Sequence, residues 1–262
     1  MELREPCAIF LTEHVAELNM GAGFLSRLND EELERVRNMG THQTCQKHES
    51  LFTQGEKHGG IWIIESGRIR TFYSAPNGRE VTLAYWTAGH FVGGPEIFGV
   101  GRHVWSGDAL ESTNLLFLPG PAMRTLVTEI PSVAISIIEG LVAKGKCYSA
   151  LIQMFGTRSA TARLEHLLVV LATHHGREEN GAIVVDRTIT YEQLATIVGA
   201  TRQWVSTTLD NLQLKGVLTL TRTQLHITSL ALLREQLGLQ PDEMLQTDTS
   251  KSKGEMRVAG AT

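Results

Sequence analysis

Four polar side chains of complementary hydrogen-bonding type crowd into the first two turns of one short helical segment: Arg202, Gln203, Ser206 and Thr207. An arginine can donate a pair of bonds to guanine and a glutamine can pair with adenine. A Ser or Thr hydroxyl can meet either partner, and a threonine methyl can touch thymine. Reading base edges in this way demands a helix held rigidly with that face outward. The flanking residues supply the hold. Thr190-Tyr191-Glu192-Gln193 reads as a capping box, with Thr190 as N-cap and Gln193 reaching back. Leu194, Ala195 and Val198 line one face, and Gly199 supplies a left-handed stop. Ala200 then leads to Thr201, a good N-cap for the second helix, whose Val205, Leu209 and Leu212 fall at i, i+4 and i+7.

Two short helices across a tight Gly turn form a helix-turn-helix, whose second helix enters the major groove N-terminus first. Gly216 ends that helix, and Val217–Leu220 with Leu225–Thr228 alternates like a hairpin wing, placing Arg222 at its tip as a phosphate contact. A plain helical hairpin with a solvated polar face would not need cap, turn, spacing and wing to agree. Trp204 has two readings: contact with a sugar or thymine methyl, or packing against the first helix.

No other residues assemble a catalytic or metal-binding pattern. His42, His48, His58, His90 and His103 show no His-x-His or His-Glu-x-x-His spacing, and there is no Gly-x-Ser-x-Gly elbow or phosphate-cradling Gly loop before a helix. Catalytic and metal sites are therefore both read as none, and the chain as not an enzyme. Cys7, Cys45 and Cys147 are too few and too scattered for a disulfide framework or a Cys-x-x-Cys metal site. With 262 residues, 42% hydrophobic and 20% charged, the chain can bury two modest cores. No apolar run approaches the ~20 residues of a membrane span, and Glu2, Glu5, Glu13 and Glu17 do not suit a signal peptide. The expected setting is cytoplasmic, away from membranes. The net charge of −4 does not announce a nucleic-acid partner, though a small module can be locally adapted.

Ahead of the helix pair, short apolar runs broken by Gly and Asn turns read as strands: Ser50–Gln54, Gly60–Glu65, Arg68–Ser74, Glu80–Trp86 and Asn114–Leu118. Pro76-Asn77-Gly78 marks a hairpin, because Asn and Gly tolerate positive φ. Strands at this spacing suggest a jelly-roll barrel. After Pro131 the period becomes helical: Ala134, Ile138, Leu141, Gly145, Tyr148, Ile152 and Phe155 step 4-3-4-3-4-3, a heptad seam for two parallel helices. A helix lying on its own barrel is the alternative. Ala160–His174 is a second amphipathic helix, and Gly176–Gly181 a charged turn. The fold class is α+β: an N-terminal β jelly-roll barrel, which by resemblance is of the cyclic-nucleotide-binding type, a long dimerisation helix and a C-terminal winged helix-turn-helix. The divisions are an N-terminal arm over 1–24, an effector-sensing barrel over 25–130, the dimerisation helix over 131–157, the DNA-binding domain over 158–237 and a flexible tail over 238–262.

That order of parts resembles the CRP/FNR family of bacterial regulators over roughly residues 25–235, most closely in Ile189–Ser206. Phe91-Val92-Gly93 through Phe98 resembles the opening of the family's phosphate-binding cassette. The resemblance implies a homodimer on a two-fold-symmetric operator, with Ile138, Leu141, Tyr148, Ile152 and Phe155 in the seam. It implies RNA polymerase as a further partner if the protein activates. It also implies DNA contacts from Thr201, Arg202, Gln203, Trp204, Ser206, Thr207 and Arg222.

The departures bear on the effector. Cyclic-nucleotide-binding members carry Glu after Phe-x-Gly and an Arg-Ser pair beyond it. Here the first position is Gly94, with Glu96 displaced by two, and the second is Trp105-Ser106 after a one-residue shift. Without the guanidinium fork a buried phosphate goes unneutralised unless Arg102 reaches in. The hydroxyl pair on the long helix becomes Tyr148-Ser149. The expected pocket of Phe91, Gly94, Glu96, His103, Trp105, Ser106, Tyr148 and Ser149 offers ring surface, suiting an aromatic or amphipathic organic effector rather than cAMP. No cofactor is required. A cyclic-nucleotide-responsive member is one alternative, and a haem-responsive member with His103 and Cys7 as axial ligands is another. The four-cysteine iron–sulfur branch lacks its ligands here. The reading helix also mixes the residues of the family's two main half-site classes, which implies an atypical half-site.

Overall fold

The computed structural model of the chain describes residues 23–186 and 189–237. Most of the expected N-terminal arm, with Cys7, and all of the expected tail lie outside the described residues. Helix α1 (Asp30–Asn38) opens on a capping box between Asn29 and Glu32. Eight strands follow: β1 (Thr41–Cys45), β2 (Ser50–Phe52), β3 (Gly60–Ser66), β4 (Arg68–Ser74), β5 (Glu80–Thr87), β6 (Phe91–Val92), β7 (Ser106–Ala109) and β8 (Thr113–Pro119). They form two four-stranded antiparallel sheets, ordered β1-β8-β3-β6 and β2-β7-β4-β5.

The turn between β3 and β4 requires Gly67. Its φ is +88°, and a Cβ there would lie 2.8 Å from the Ser112 carbonyl oxygen. The β4–β5 hairpin closes through Pro76-Asn77-Gly78, with Gly78 at φ +80° and the Asn77 side chain accepting from the Arg79 amide at 3.1 Å. Ile61, Ile63, Ile69, Leu115, Leu116 and Leu118 fill the space between the sheets and beneath the helices.

Helix α2 (Gly120–Glu129) stops at Ile130, whose extended backbone precedes Pro131 as the first residue of α3 (Pro131–Thr157). The two helices meet at 116°. Helix α4 (Ala160–His175) starts on a Ser159 cap.

The segment Gly176–Gly181, expected as a turn, is instead the first half of a hairpin: β9 (Gly176–Glu179) pairs with β10 (Ala182–Asp186). Asn180 and Gly181 both take positive φ, +50° and +78°, which is the geometry of a tight two-residue hairpin loop. Helices α5 (Tyr191–Val198) and α6 (Arg202–Leu214) come next, followed by strands β11 (Leu218–Leu220) and β12 (Gln224–Ile227) and helix α7 (Leu230–Gln236). The wing is accordingly a four-stranded sheet, β11-β12-β10-β9, rather than a lone hairpin.

Candidate nucleic-acid interface and effector region

The helix pair is built by local hydrogen bonds that the residue types dictate. The Thr190 hydroxyl accepts from the Gln193 backbone amide at 3.2 Å, and the Gln193 side-chain carboxamide oxygen accepts from the Thr190 backbone amide at 2.8 Å. Gly199 adopts φ +67°, ψ +45°, and a Cβ there would sit 2.5 Å from the Phe155 ring. Glycine is therefore required twice, for the left-handed backbone and for the close approach. The Thr201 hydroxyl accepts from the Trp204 amide at 3.2 Å, and Val205, Leu209 and Leu212 are buried beneath α6.

This leaves Thr201, Arg202, Gln203 and Thr207 exposed on the N-terminal half of α6, with Ser206 half-buried beside them. Trp204 is half-buried and packs against the apolar core under the helix pair. Arg222 is exposed on the wing turn, where the Thr221 hydroxyl accepts from the Gln224 amide at 2.9 Å. Among the described residues Arg202 and Arg222 form no ion pair, so both guanidinium groups face solvent uncommitted. The first turn of α6 holds no acidic residue, and its free amides and positive dipole end favour an approaching phosphate.

The expected effector residues fall into three groups rather than one. Phe91 lies at the junction of β6 with α3, buried beside Trp86 and Lys144. Lys144 is buried, donates to the Phe91 carbonyl at 2.7 Å, and lies 3.6 Å from the Trp86 ring centre and 4.7 Å from that of Phe91. Burial pulls its ammonium down to about 7, since the charged form loses water without gaining a carboxylate. Burial, then the charge of Lys144, takes His90 down to about 4.

His103 sits at one end of the barrel in a stack of rings, 4.6 Å from Phe52 and 4.5 Å from His58, and its Nδ1 meets the Gly93 carbonyl. Gly94 belongs to the same group, since a Cβ there would approach His58 within 3.1 Å. His58 is buried with neither ring nitrogen hydrogen-bonded, and burial followed by the nearness of His103 takes it down to about 4. Trp105 and Tyr148 form a third pair, 5.7 Å between ring centres, bridging the barrel and α3. Burial pushes the Tyr148 hydroxyl well above its ordinary range.

Ser106 accepts from the Gln54 amide at 3.0 Å, while Glu96 and Ser149 are exposed. Arg102 does not turn inward. It is exposed and donates to the Gly55 carbonyl at 2.6 Å.

On α3, Ile138, Leu141 and Ile152 are exposed, with Ile135 and Val142 beside them. Tyr148 instead meets Trp105, and Phe155 lies against Gly199 and under the Arg163 guanidinium. Sequence reasoning missed Lys144, His58 and Arg163. Lys144 had a signal, because it stands seven residues from buried Ile137 and seven from buried Leu151 on the same helix face. Arg163 likewise sits four residues before buried Leu167. Nothing in the local sequence marks His58.

A model of the cyclic nucleotide-binding domain matches residues 42–129, and a model of the Crp-like helix-turn-helix domain matches residues 162–236. The chain belongs to the CRP/FNR family of transcription regulators. A CRP-like cAMP-activated global transcriptional regulator of Mycobacterium tuberculosis is 25% identical over 167 residues, spanning 64% of this chain and 75% of that protein. The cyclic AMP receptor protein of Thermus thermophilus is 25% identical over 215 residues, 82% of this chain and 96% of that one. The solved structure of a CooA variant from Carboxydothermus hydrogenoformans superposes with a TM-score of 0.65 at 25% identity, covering 82% of this chain and 95% of that one. This CRP/FNR member thus joins an effector-binding β domain to a DNA-binding helix-turn-helix.

Proposed function

We propose that this chain is a homodimeric, cytoplasmic, sequence-specific regulator whose DNA affinity is set by an aromatic or amphipathic organic effector rather than by cAMP. The observation that carries the DNA half is α6, capped at Thr201 and buried on one side, offering uncommitted Arg202 and Gln203 side chains at its positive end. Thr207 and Ser206 extend the reading surface, and Arg222 supports it from the wing.

The dimer reading rests on α3. Ile135, Ile138, Val142, Gly145, Ser149, Ile152 and Gly156 step 3-4-3-4-3-4, and the space above both glycines is open. That stripe is shifted by part of a turn from the expected seam, because Tyr148 and Phe155 are used within the chain. Two parallel α3 helices would present two α6 helices to successive major grooves.

The effector reading rests on substitutions at the places where a cyclic phosphate would be held. Gly94 stands where the family's carboxylate would, Trp105 contributes a ring, Ser106 is already bonded, and Arg102 faces outward. A phosphate with no guanidinium partner would be costly to bury. Aromatic surface from Trp86, Phe91, Trp105 and Tyr148 flanks α3 instead.

Duplexes selected by the purified protein from a random-sequence pool should converge on a two-fold-symmetric site. A thermal-shift panel should respond to aromatic ligands and not to cAMP. Selection without a consensus would overturn the DNA half, and a tight response to cAMP alone would overturn the effector half.

A further inference from the structure

The joint between α3, α4 and the helix-turn-helix is organised around one buried cation that no functional assignment yet uses. Arg163, in the first turn of α4, is only 9% exposed. Its Nε donates to the Val198 carbonyl at 2.8 Å, and its Nη1 donates to the Arg158 carbonyl at 2.8 Å. Its guanidinium lies 4.5 Å from the centre of the Phe155 ring.

The two acceptors are not arbitrary. Val198 is the last residue of α5, and Arg158 is the C-cap of α3. The closing carbonyls of a helix lack intrahelical partners and carry the negative end of its dipole. One planar fork therefore caps two helices at once, the long helix and the first helix of the reader. Phe155 completes the joint from below, filling the space that a Cβ on Gly199 would need. A second contact sits away from the hinge, where the buried Thr82 hydroxyl of β5 donates to that of Thr196 on α5 at 3.1 Å.

We infer that Arg163 is a positioning residue for DNA reading: by bridging the C-terminal ends of α3 and α5 it fixes the angle at which α6 is presented. In a dimer joined along α3, that angle sets the separation between the two reading helices, and hence the half-site spacing the protein accepts. This step rests on the dimeric reading above. Lysine cannot replace the fork, because a single ammonium cannot span both carbonyls with the same planar geometry. Glutamine keeps polarity and some length but removes the charge.

The test uses the full-length wild type, R163K and R163Q, with a duplex selected from a random pool by the wild type. Derivatives of that duplex carry one base pair more or fewer at the centre, or a single half-site. R163Q should lose about tenfold or more in affinity for the original spacing, and its preference over the altered spacings should approach unity. R163K should fall between R163Q and the wild type. Binding to the single half-site should change by less than about twofold, since the reading face itself is untouched.

Wild-type spacing preference retained in R163Q would overturn the inference. So would an equal proportional loss on the single half-site, which would mark Arg163 as a residue needed only for folding. Small-angle scattering of the free proteins judges the joint without DNA: R163Q should show a broadened distance distribution, and superposable profiles would overturn the inference. Should the wild type select no duplex, the reading of α6 fails and the scattering comparison still decides the role of Arg163.

Discussion

At the residue scale, the surface proposed to meet DNA and the buried titratable groups make separate predictions. Arg202→Ala should cost about 1–3 kcal/mol of specific binding and relax preference at one base position, read by competition against single-base variants of the selected site. Unchanged preference at every position would remove Arg202 from the reading set.

Lys144 predicts a dependence on alkaline pH. Its folded value of about 7 lies below the ordinary 10.5, so between those limits the unfolded chain holds a proton that the folded chain does not. Stability should rise as pH climbs through that window, and the cost of burying the ammonium is fully present below it. In Lys144→Met that rise should flatten in urea unfolding series, whereas curves parallel to the wild type would count against a desolvated ammonium. His58 and His90 act toward acid. Each is held neutral to about 4 against an ordinary 6.5, so stability falls as pH drops from about 6.5 to about 4. His58→Phe should shallow that decline, and an identical decline would show that His58 is not the group responsible.

The exposed face of Arg202, Gln203 and Thr207 was legible in the sequence because Thr190, Gln193, Gly199 and Thr201 each have one local role that fixes the helix phase. It was silent on His58, whose surroundings come from strands and loops distant in the chain. It also grouped His103 with Trp105 and Tyr148, although they face different neighbours.

At the element scale, periodicity located β2, β3, β4, β5 and β8 together with α3 to α6, and passed over β1, β6, β7, α1 and α2. What periodicity could not supply was the phase of α3 against its surroundings. Tyr148 and Phe155 fit a heptad as well as Val142 and Ser149 do, and only the positions of Trp105 and Gly199 turn them inward. The hairpin β9–β10 was hidden for a different reason: its first strand, Gly-Arg-Glu-Glu, has no apolar alternation and little burial.

If the exposed stripe of α3 is the dimer seam, Ile138→Glu should convert the protein to monomers in sedimentation experiments, since two carboxylates would face each other along it. A variant that stays dimeric at low micromolar concentration would move the interface elsewhere. Thr190→Ala removes one side of the capping box and should cost about 1 kcal/mol in thermal or urea unfolding. No loss would mean that the α5 start is held by packing alone.

At the scale of the whole molecule, the effector domain meets the reader through α5 packed on β5 and the Thr82–Thr196 hydroxyl bond, and α3 meets it through the Arg163 joint. None of this was legible, because contacts between units leave no period in either of them. The arrangement has a functional consequence. The face of the helix-turn-helix turned toward the barrel belongs to α5, which leaves the polar face of α6 free for a duplex. Under the proposed function, a shift in the barrel would reorient α6 without touching its side chains.

The most direct test of this account is a fluorescence anisotropy titration of a selected duplex and a scrambled one with wild type and an Arg202→Ala, Gln203→Ala double variant, at one fixed salt concentration. The wild type should favour the selected duplex by about a thousandfold or more, and the double variant should lose most of that ratio while binding the scrambled duplex as before. A ratio unchanged by the double substitution would contradict the assignment of α6 as the helix that reads DNA.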